Sequence, residues 1–370
     1  MKLRSLSISL FLLTCLVQAQ VSAPAQDSER KRDTTVKDAV QGGWSYSRAE
    51  SREAIDADDA QAPTPQDRLD DLRAVRNEAL VKNQGQLTPA DRAELERMAG
   101  EVNTAFPQSF EAHLAGFYAE FPAPASFTHV DLATARDPNR EEIIAPQLVN
   151  SARKDQREEL VRWSSAMKER GEVAPALYRL AEDMLASVEK NGVLIAAGEM
   201  DAYPMWVEQY ADGKRNDVLV IDQRLLGDPA YRSRMWERTK AKGTLPIDGP
   251  TFIERLPSSI ERPVFLSLAV GAQVAGKYKG NLSVTGLALR FGAPAQDDIT
   301  KLEDRWKKMN KALDAGPLAR NYLVPGAVLL KHYRAIEDES KASAMEAELR
   351  AMAARTGATR LLFENGVLLH

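Results

Sequence analysis

The sequence predicts an α/β fold in which a small mixed sheet, built around a βαβ unit, sits between helical hairpins and a set of C-terminal helices. Three observations carry this reading. Apolar residues recur at helical spacing from Gln66 to Asn191. Short apolar runs bounded by glycine replace them over 192–296, and helical spacing returns over 297–370. A period near 3.6 marks a helix face, whereas a short continuous apolar run marks a buried strand.

The chain has 370 residues, with 49 Lys and Arg against 53 Asp and Glu, and its pI is about 5.8. That balance leaves no basic footprint for nonspecific nucleic-acid binding. The composition excludes collagen-like, disulfide-stapled and wholly disordered chains.

Residues 1–19 read as a signal peptide. Lys2 and Arg4 form the positive start, Leu6 to Val17 the apolar stretch, and Val17-Gln18-Ala19 a cleavage motif. The expected product is exported, either periplasmic or secreted. The single cysteine, Cys15, follows Thr14, where a lipid-anchoring motif wants Gly, Ala or Ser. Lipid anchoring is therefore not expected, and cleavage after Ala19 leaves no thiol for disulfides, zinc or nucleophilic catalysis. No later run approaches the roughly 18 apolar residues of a spanning helix, so no transmembrane segment is expected after cleavage. Residues 20–65 hold few apolar anchors, chiefly Trp44, Tyr46 and Ile55, and read as a disordered tether closed by Ala62-Pro63-Thr64-Pro65.

Residues 66–191 read as a helical-hairpin region. Leu69, Leu72, Val75 and Leu80 begin a helix. Thr88-Pro89 starts another, with Thr88 as the N-cap, and Leu95, Met98 and Val102 follow on its face. Leu132 to Asn139 resembles the end of a tetratricopeptide helix pair, where a small-residue helix closes and the Asp137-Pro138-Asn139 turn starts the next helix. Only one good copy of that turn occurs, so the region reads as tetratricopeptide-like helical hairpins rather than a regular array. Pro146 is expected to interrupt the next helix. Leu177, Leu180, Ala181, Met184, Leu185 and Val188 then form one continuous buried stripe.

Residues 192–296 read as the sheet, and residues 297–370 as C-terminal helices. Val193 to Ala197 is a strand, Pro204 to Ala211 a helix ended by Gly213, and Val218 to Ile221 a second strand. Strand, helix and strand at this spacing make a parallel βαβ unit with a right-handed crossover. Val264 to Val270 and Leu287 to Phe291 supply two more strands, giving a small Rossmann-like mixed sheet of about four. Helices follow from Ile299 to Leu313 and from Val328 to Arg355, with Leu329, Tyr333, Ile336, Met345, Leu349 and Met352 on their buried faces. Leu361-Leu362-Phe363 and Val367-Leu368-Leu369 form either an edge strand or a segment folded back on the helices.

Gly192 to Trp206 and Gly213 to Asp222 resemble a segment of a bacterial family of unknown function. Its members are large membrane proteins whose membrane half looks like protein O-mannosyltransferases and whose soluble half follows. The resemblance rests on Gly198, Asp201, Tyr203, Pro204, Trp206, Gln209, Gly213, Arg215, Asp217 and Val218. Arg262-Pro263-Val264-Phe265 and Gly286-Leu287-Ala288-Leu289-Arg290 are similar to two further strands of that soluble half, in the same order. The resemblance spans roughly residues 190 to 350. The membrane half is absent, so no sugar-transfer activity located there is implied. Glu199-Met200 also replaces the family's usual Asp-Asn.

The candidate site residues are Glu199, Asp201, Tyr203, Trp206, Arg215, Asp217 and Asp222. In open α/β sheets ligands bind outside the carboxyl ends of parallel strands. Glu199, Asp201 and Tyr203 lie after the first strand, and Asp222 ends its neighbour. Carboxylates at one helix start suit a cation, a sugar hydroxyl or an amine. The competing structural reading makes Asp201 the N-cap of the Pro204 helix, Tyr203 and Trp206 sheet packing, and Arg215 with Asp217 a turn ion pair. The other chemistries lack their residues. The Gly198 loop has no G-x-G-x-x-G glycines, and no P-loop occurs. There is no G-x-S-x-G elbow. The histidines, His113, His129, His332 and His370, form no H-E-x-x-H pair. Neither a cofactor nor a metal is expected. The favoured expectation is an exported, non-catalytic binding or scaffolding protein of the cell envelope with a protein or glycan partner. The alternative is an envelope enzyme acting on glycans through the acidic loop.

Overall fold

The computed structural model describes residues 62–83, 87–278, 280–295 and 297–369. The expected signal peptide, Cys15 and almost all of the expected tether lie outside the described residues.

Among the described residues seven helices precede the sheet: α1 (Pro65–Lys82), α2 (Pro89–Ala105), α3 (Phe110–Glu120), α4 (Ser126–Arg136), α5 (Ile144–Lys154), α6 (Arg157–Arg170) and α7 (Pro175–Ala186). α1 starts at Pro65, with the Asp67 carboxylate accepting the Thr64 amide at 3.0 Å. α2 starts where its sequence signal placed it. Thr88 Oγ1 accepts the Asp91 amide at 3.2 Å, and Asp91 returns the bond from the Thr88 amide at 2.8 Å.

Two expectations need correction here. Pro146 does not interrupt a helix. It is the third residue of α5, and a first-turn residue has no helical carbonyl for its amide to reach, so proline fits. The Asp137-Pro138-Asn139 turn closes α4 but does not open the next α-helix. Asp137 accepts the Asn139 amide at 3.1 Å, and a 3-10 turn over Glu141–Ile143 precedes α5.

The sheet has five strands: β1 (Val193–Ala196), β2 (Leu219–Asp222), β3 (Val264–Ser267), β4 (Leu282–Val284) and β5 (Ala288–Phe291), in the order β2-β1-β3-β5-β4. β1 runs parallel to β2 and β3, with Ala196 opposite Asp222 and Ile195 opposite Leu266. β5 is antiparallel to β3 and β4. The sheet is mixed, as expected, but it carries one more strand than the apolar runs suggested. The Val264 run is also shorter, because the Ser267 hydroxyl accepts the Ala269 amide at 3.1 Å and turns Leu268–Val270 into a 3-10 segment.

α8 (Glu199–Tyr210) joins β1 to β2. It begins five residues before the expected start at Pro204, which lies inside it. α9 (Pro229–Arg238) and α10 (Gly249–Ser259) fill the connection from β2 to β3, and α11 (Gly271–Lys277) follows β3. The C-terminal helices are α12 (Asp298–Lys308), α13 (Leu323–Ala335), α14 (Glu339–Arg355) and α15 (Thr359–Glu364). Leu361, Leu362 and Phe363 belong to α15, so the edge-strand alternative gives way to a helix packed on α14.

The buried core is continuous from the helical layer into the sheet. α8 packs on α6 and α7, and Leu180 and Met184 of α7 share one apolar cluster with Leu194, Trp206 and Ile221. Gly286 shows how closely the pieces approach. Its φ is +131°, and a Cβ there would lie 2.3 Å from the Ser187 Oγ. That hydroxyl also accepts the Leu287 amide at 2.8 Å. The Gly-Leu pair ahead of β5 is thus a docking point for the end of α7.

Candidate functional site

The seven candidate residues divide between the two edges of the parallel strands. Glu199, Asp201, Tyr203, Trp206 and Asp222 gather at the carboxyl edge. Arg215 and Asp217 stand at the amino edge.

At the carboxyl edge, Gly198 occupies the N-cap of α8 and Asp201 its third position. Asp201 is therefore not the N-cap residue. Its carboxylate reaches back, accepting the Ala197 amide at 2.9 Å on one oxygen and the Gly198 amide at 2.8 Å on the other. It is 2% exposed. Burial, only partly offset by these amides and the Ser267 hydroxyl, raises its pKa. Because both oxygens are used, asparagine is not a neutral replacement. Its NH2 would face one of the two amides and leave that donor orphaned. Asp201→Asn is expected to cost about 1–3 kcal/mol of stability, read from chemical denaturation midpoints at constant m-value. An unchanged midpoint would show that the two amide bonds contribute nothing.

Glu199 and Asp222 are 7% and 0% exposed. Both are matched by arginines. Arg76, reaching over from α1, meets Glu199 with both terminal nitrogens, one of them at 3.2 Å. Arg224 binds Glu199 through Nη1 at 3.0 Å and Asp222 through Nη2 at 2.6 Å and Nε at 3.1 Å. Asp222 also accepts the Arg224 amide at 2.9 Å, and this bond turns the chain after β2 back over the edge. The result is an Arg76–Glu199–Arg224–Asp222 chain in which all but the partly buried Arg224 are buried. A Cβ at Gly198 would come within 3.0 Å of the Arg224 Nε, so glycine makes room for that guanidinium.

Aromatic rings frame the chain of charges. Arg76 lies over Tyr118 with its guanidinium carbon 5.2 Å from the ring centroid, and Arg224 lies over Phe121 at 4.8 Å. Tyr203 stacks on Trp206 at 5.6 Å and an interplanar angle of 21°. Burial pushes the Glu199 carboxyl up, but Arg76 and Arg224 together outweigh it and its pKa is lowered. Glu199 is thus held ionised, as an ion-pair partner rather than a proton donor.

At the amino edge, Arg215 caps the end of α7. It donates to the carbonyls of Leu185, Val188 at 3.0 Å and Glu189 at 3.3 Å, and grips Asp217 at 3.0 and 3.1 Å. Asp217 also accepts the Asn191 amide at 2.9 Å. The hydrogen bond from Arg215 is the main reason the Asp217 carboxyl falls to about 2. These two residues brace the passage from α7 into β1. They form a turn ion pair and touch none of the carboxyl-edge acids.

Beside them opens a cleft of about 660 Å³, lined among others by Asn191, Asp217, Arg238, Lys240, Lys242 and Arg262. Sequence reading missed this cleft, although Arg238, Lys240 and Lys242 concentrate positive charge within five residues. It also missed Arg76, which lies 123 residues from its partner Glu199 and carries no local signal. Among the described residues, no group of three or more His, Cys, Asp and Glu side chains is placed to hold a metal ion. No described helix is long and apolar enough to cross a membrane.

No curated protein and no solved structure gave a significant match to the chain. A family model described as TMEM260-associated domain 2 matches residues 177–251. The matched stretch runs from α7 through β1, α8, β2 and α9 into the start of α10. This part of the chain is therefore similar to TMEM260-associated domain 2, and all seven candidate residues fall within it.

Proposed function

We propose that the protein is an exported, non-catalytic binding or scaffolding protein of the bacterial cell envelope that recognises a protein or glycan partner. One observation carries the non-catalytic part. The acids that a glycan-processing enzyme would need at the carboxyl edge are buried and spent, Glu199 and Asp222 on Arg76 and Arg224 and Asp201 on the Ala197 and Gly198 amides. A general acid needs a pKa near its working pH, whereas Glu199 is shifted the other way.

The finer reading of the architecture belongs to the same proposal: a Rossmann-like sheet beside tetratricopeptide-like hairpins, the latter a common framework for holding a partner. Residues 177–251, similar to TMEM260-associated domain 2, support the resemblance to the soluble half of a membrane-protein family.

The test is to incubate the purified protein with envelope oligosaccharides and to measure retention on a glycan array alongside release of reducing ends. Retention without turnover, together with recovery of a processed chain from the periplasmic fraction, is expected. Turnover that Glu199→Gln or Asp222→Asn abolishes at an unchanged melting temperature would establish the enzyme instead.

A further inference from the structure

The cleft at the amino edge is built from four separate segments. Asn191 precedes β1, Asn216 to Leu219 lead into β2, Arg238 to Lys242 close α9, and Ile260 to Arg262 lead into β3. Its size falls within the range of small-molecule sites, and its charges do not cancel.

Six charged side chains line it: Arg238, Lys240, Lys242 and Arg262 against Asp217 and Glu261. Asp217 is already engaged by Arg215 from outside the cleft. Glu261 meets only Lys242, at 3.4 Å, and both side chains project into solvent. Arg238 pairs with Asp155. Among the described residues, Lys240 and Arg262 have no carboxylate partner. Arg262 is instead fixed by carbonyls. Its Nε donates to Asn191 at 2.6 Å, and its Nη2 donates to Gly192 at 3.1 Å and Asp217 at 3.3 Å. That leaves Nη1 without a partner on a guanidinium that cannot swing away. Burial and then the neighbouring charge of Arg238 lower the Arg262 pKa, with Asp217 only partly opposing them, so the two arginines crowd one another at the cleft.

Lys240 adds an independent observation. It sits at φ +57° just past the end of α9. The Lys240 amide bonds the Glu237 carbonyl at 2.9 Å and the Ala241 amide bonds the Trp236 carbonyl at 3.0 Å. This is the helix ending whose left-handed position normally takes glycine. Here an exposed lysine occupies it, strained and unpaired, at the rim of the cleft. The carbonyl end of α9 also faces this region and favours cations, so part of the positive charge answers the helix. The fixed Arg262 fork lies beyond that.

We infer that this cleft binds a phosphate group of a small phosphorylated ligand, held between Arg262 and Lys240. A phosphate dianion matches two uncompensated cations, and a guanidinium fork suits its geometry. A single carboxylate would leave one cation unmatched, and a dicarboxylate such as malonate spreads the same charge over two planar groups without the three oxygens that one phosphate turns to both cations. The asparagines at the rim, Asn191 and Asn216, offer amides to whatever carries the phosphate. The inference stands on the cleft alone. A chain that is never exported but binds phosphate would leave it intact and overturn the export reading above.

The probe is inorganic pyrophosphate, titrated calorimetrically into the protein, with malonate as the carboxylate comparison. Saturable pyrophosphate binding that weakens as salt is raised is expected, with malonate weaker. Lys240→Gly should weaken binding about ten-fold, the size of one charge-assisted hydrogen bond, while raising the melting temperature by relieving the left-handed strain. Opposite movements of affinity and stability separate a lost site from a damaged fold. Lys240→Gln, which keeps the strain and removes the charge, should lose affinity alone. Absence of saturable binding at millimolar pyrophosphate, affinity unchanged from the parent protein in both lysine variants, or malonate binding as tightly would each overturn the inference.

Discussion

Replacing Arg76 by methionine is expected to destabilise the fold by about 3 kcal/mol, because removing one partner of a buried ion pair leaves the other charge uncompensated. Arg76 is 3% exposed and Glu199 7%, so water cannot substitute for the lost guanidinium. Arg224 still touches Glu199, which holds the cost at the lower end of the usual range for such breaks. Replacing both Arg76 and Glu199 by methionine should cost less than Arg76→Met alone, since the stranded charge goes with its partner and Arg224 keeps Asp222. The effect has a pH signature. The Glu199 pKa is lowered in the folded chain from its ordinary value of 4.5. Its contribution is therefore fully present above about 4.5 and lost as pH falls through the lowered folded value. The gap between the parent protein and Arg76→Met should close on acidification below that point. Urea titrations of the three proteins at neutral and acidic pH measure all of this. A single-variant cost below 1 kcal/mol, or a gap independent of pH, would mean that the pair does not join α1 to the sheet energetically.

That pair also marks where sequence reading stops. The strands were legible because Val193 to Ala196, Leu219 to Ile221 and Val264 to Leu266 are continuous apolar runs, and all of these residues are buried. The α2 start was legible because Thr88 and Asp91 cap each other within four residues. The α8 start was not. Glu199-Met200-Asp201 reads as a polar loop, and a carboxylate capping from the third helical position resembles an N-cap when Pro204 follows it. β4 was missed because three residues carry too little periodicity. α9 exposes so much polar surface that its apolar face gives a weak stripe. Of the site, local sequence revealed the acids but not their partners. Arg76 arrives from α1 and Arg224 from a turn, so only the folded chain turns an apparently reactive acidic loop into a closed ion network. The basic cleft was invisible for the same reason, assembled as it is from four segments.

Asp183→Leu is expected to be as damaging as any single change in the chain, at about 3–5 kcal/mol. Its neighbours Leu180, Ala181, Met184 and Leu185 all lie in the apolar stripe of α7, and Asp183 lies 3% exposed among them. The carboxylate accepts four bonds from the C-terminal part of the chain: the Asn310 amide at 3.0 Å, the Asn310 Nδ2 at 3.1 Å, the Lys311 amide at 3.2 Å and the Tyr322 hydroxyl at 2.6 Å. These join the loop between α12 and α13 to the helical layer. Leucine matches the surrounding apolarity and removes an ion that burial already penalises, since desolvation is the leading cause of the raised Asp183 pKa. Hydrophobicity alone therefore predicts a gain. The loss is expected because two backbone amides and a phenol are left without acceptors, and an orphaned buried donor costs more than a made bond returns. Tyr322→Phe in the parent protein should cost only about 1 kcal/mol, since Asp183 keeps its other donors. In the Asp183→Leu background the same change should cost nothing or restore stability, because it removes one orphan. A coupling of at least about 1 kcal/mol in that double-mutant cycle, with loss of hydrogen-exchange protection at the Asn310 and Lys311 amides, is the expected result. Additive effects with unchanged protection would show that the C-terminal helices are held by their apolar faces and not by Asp183.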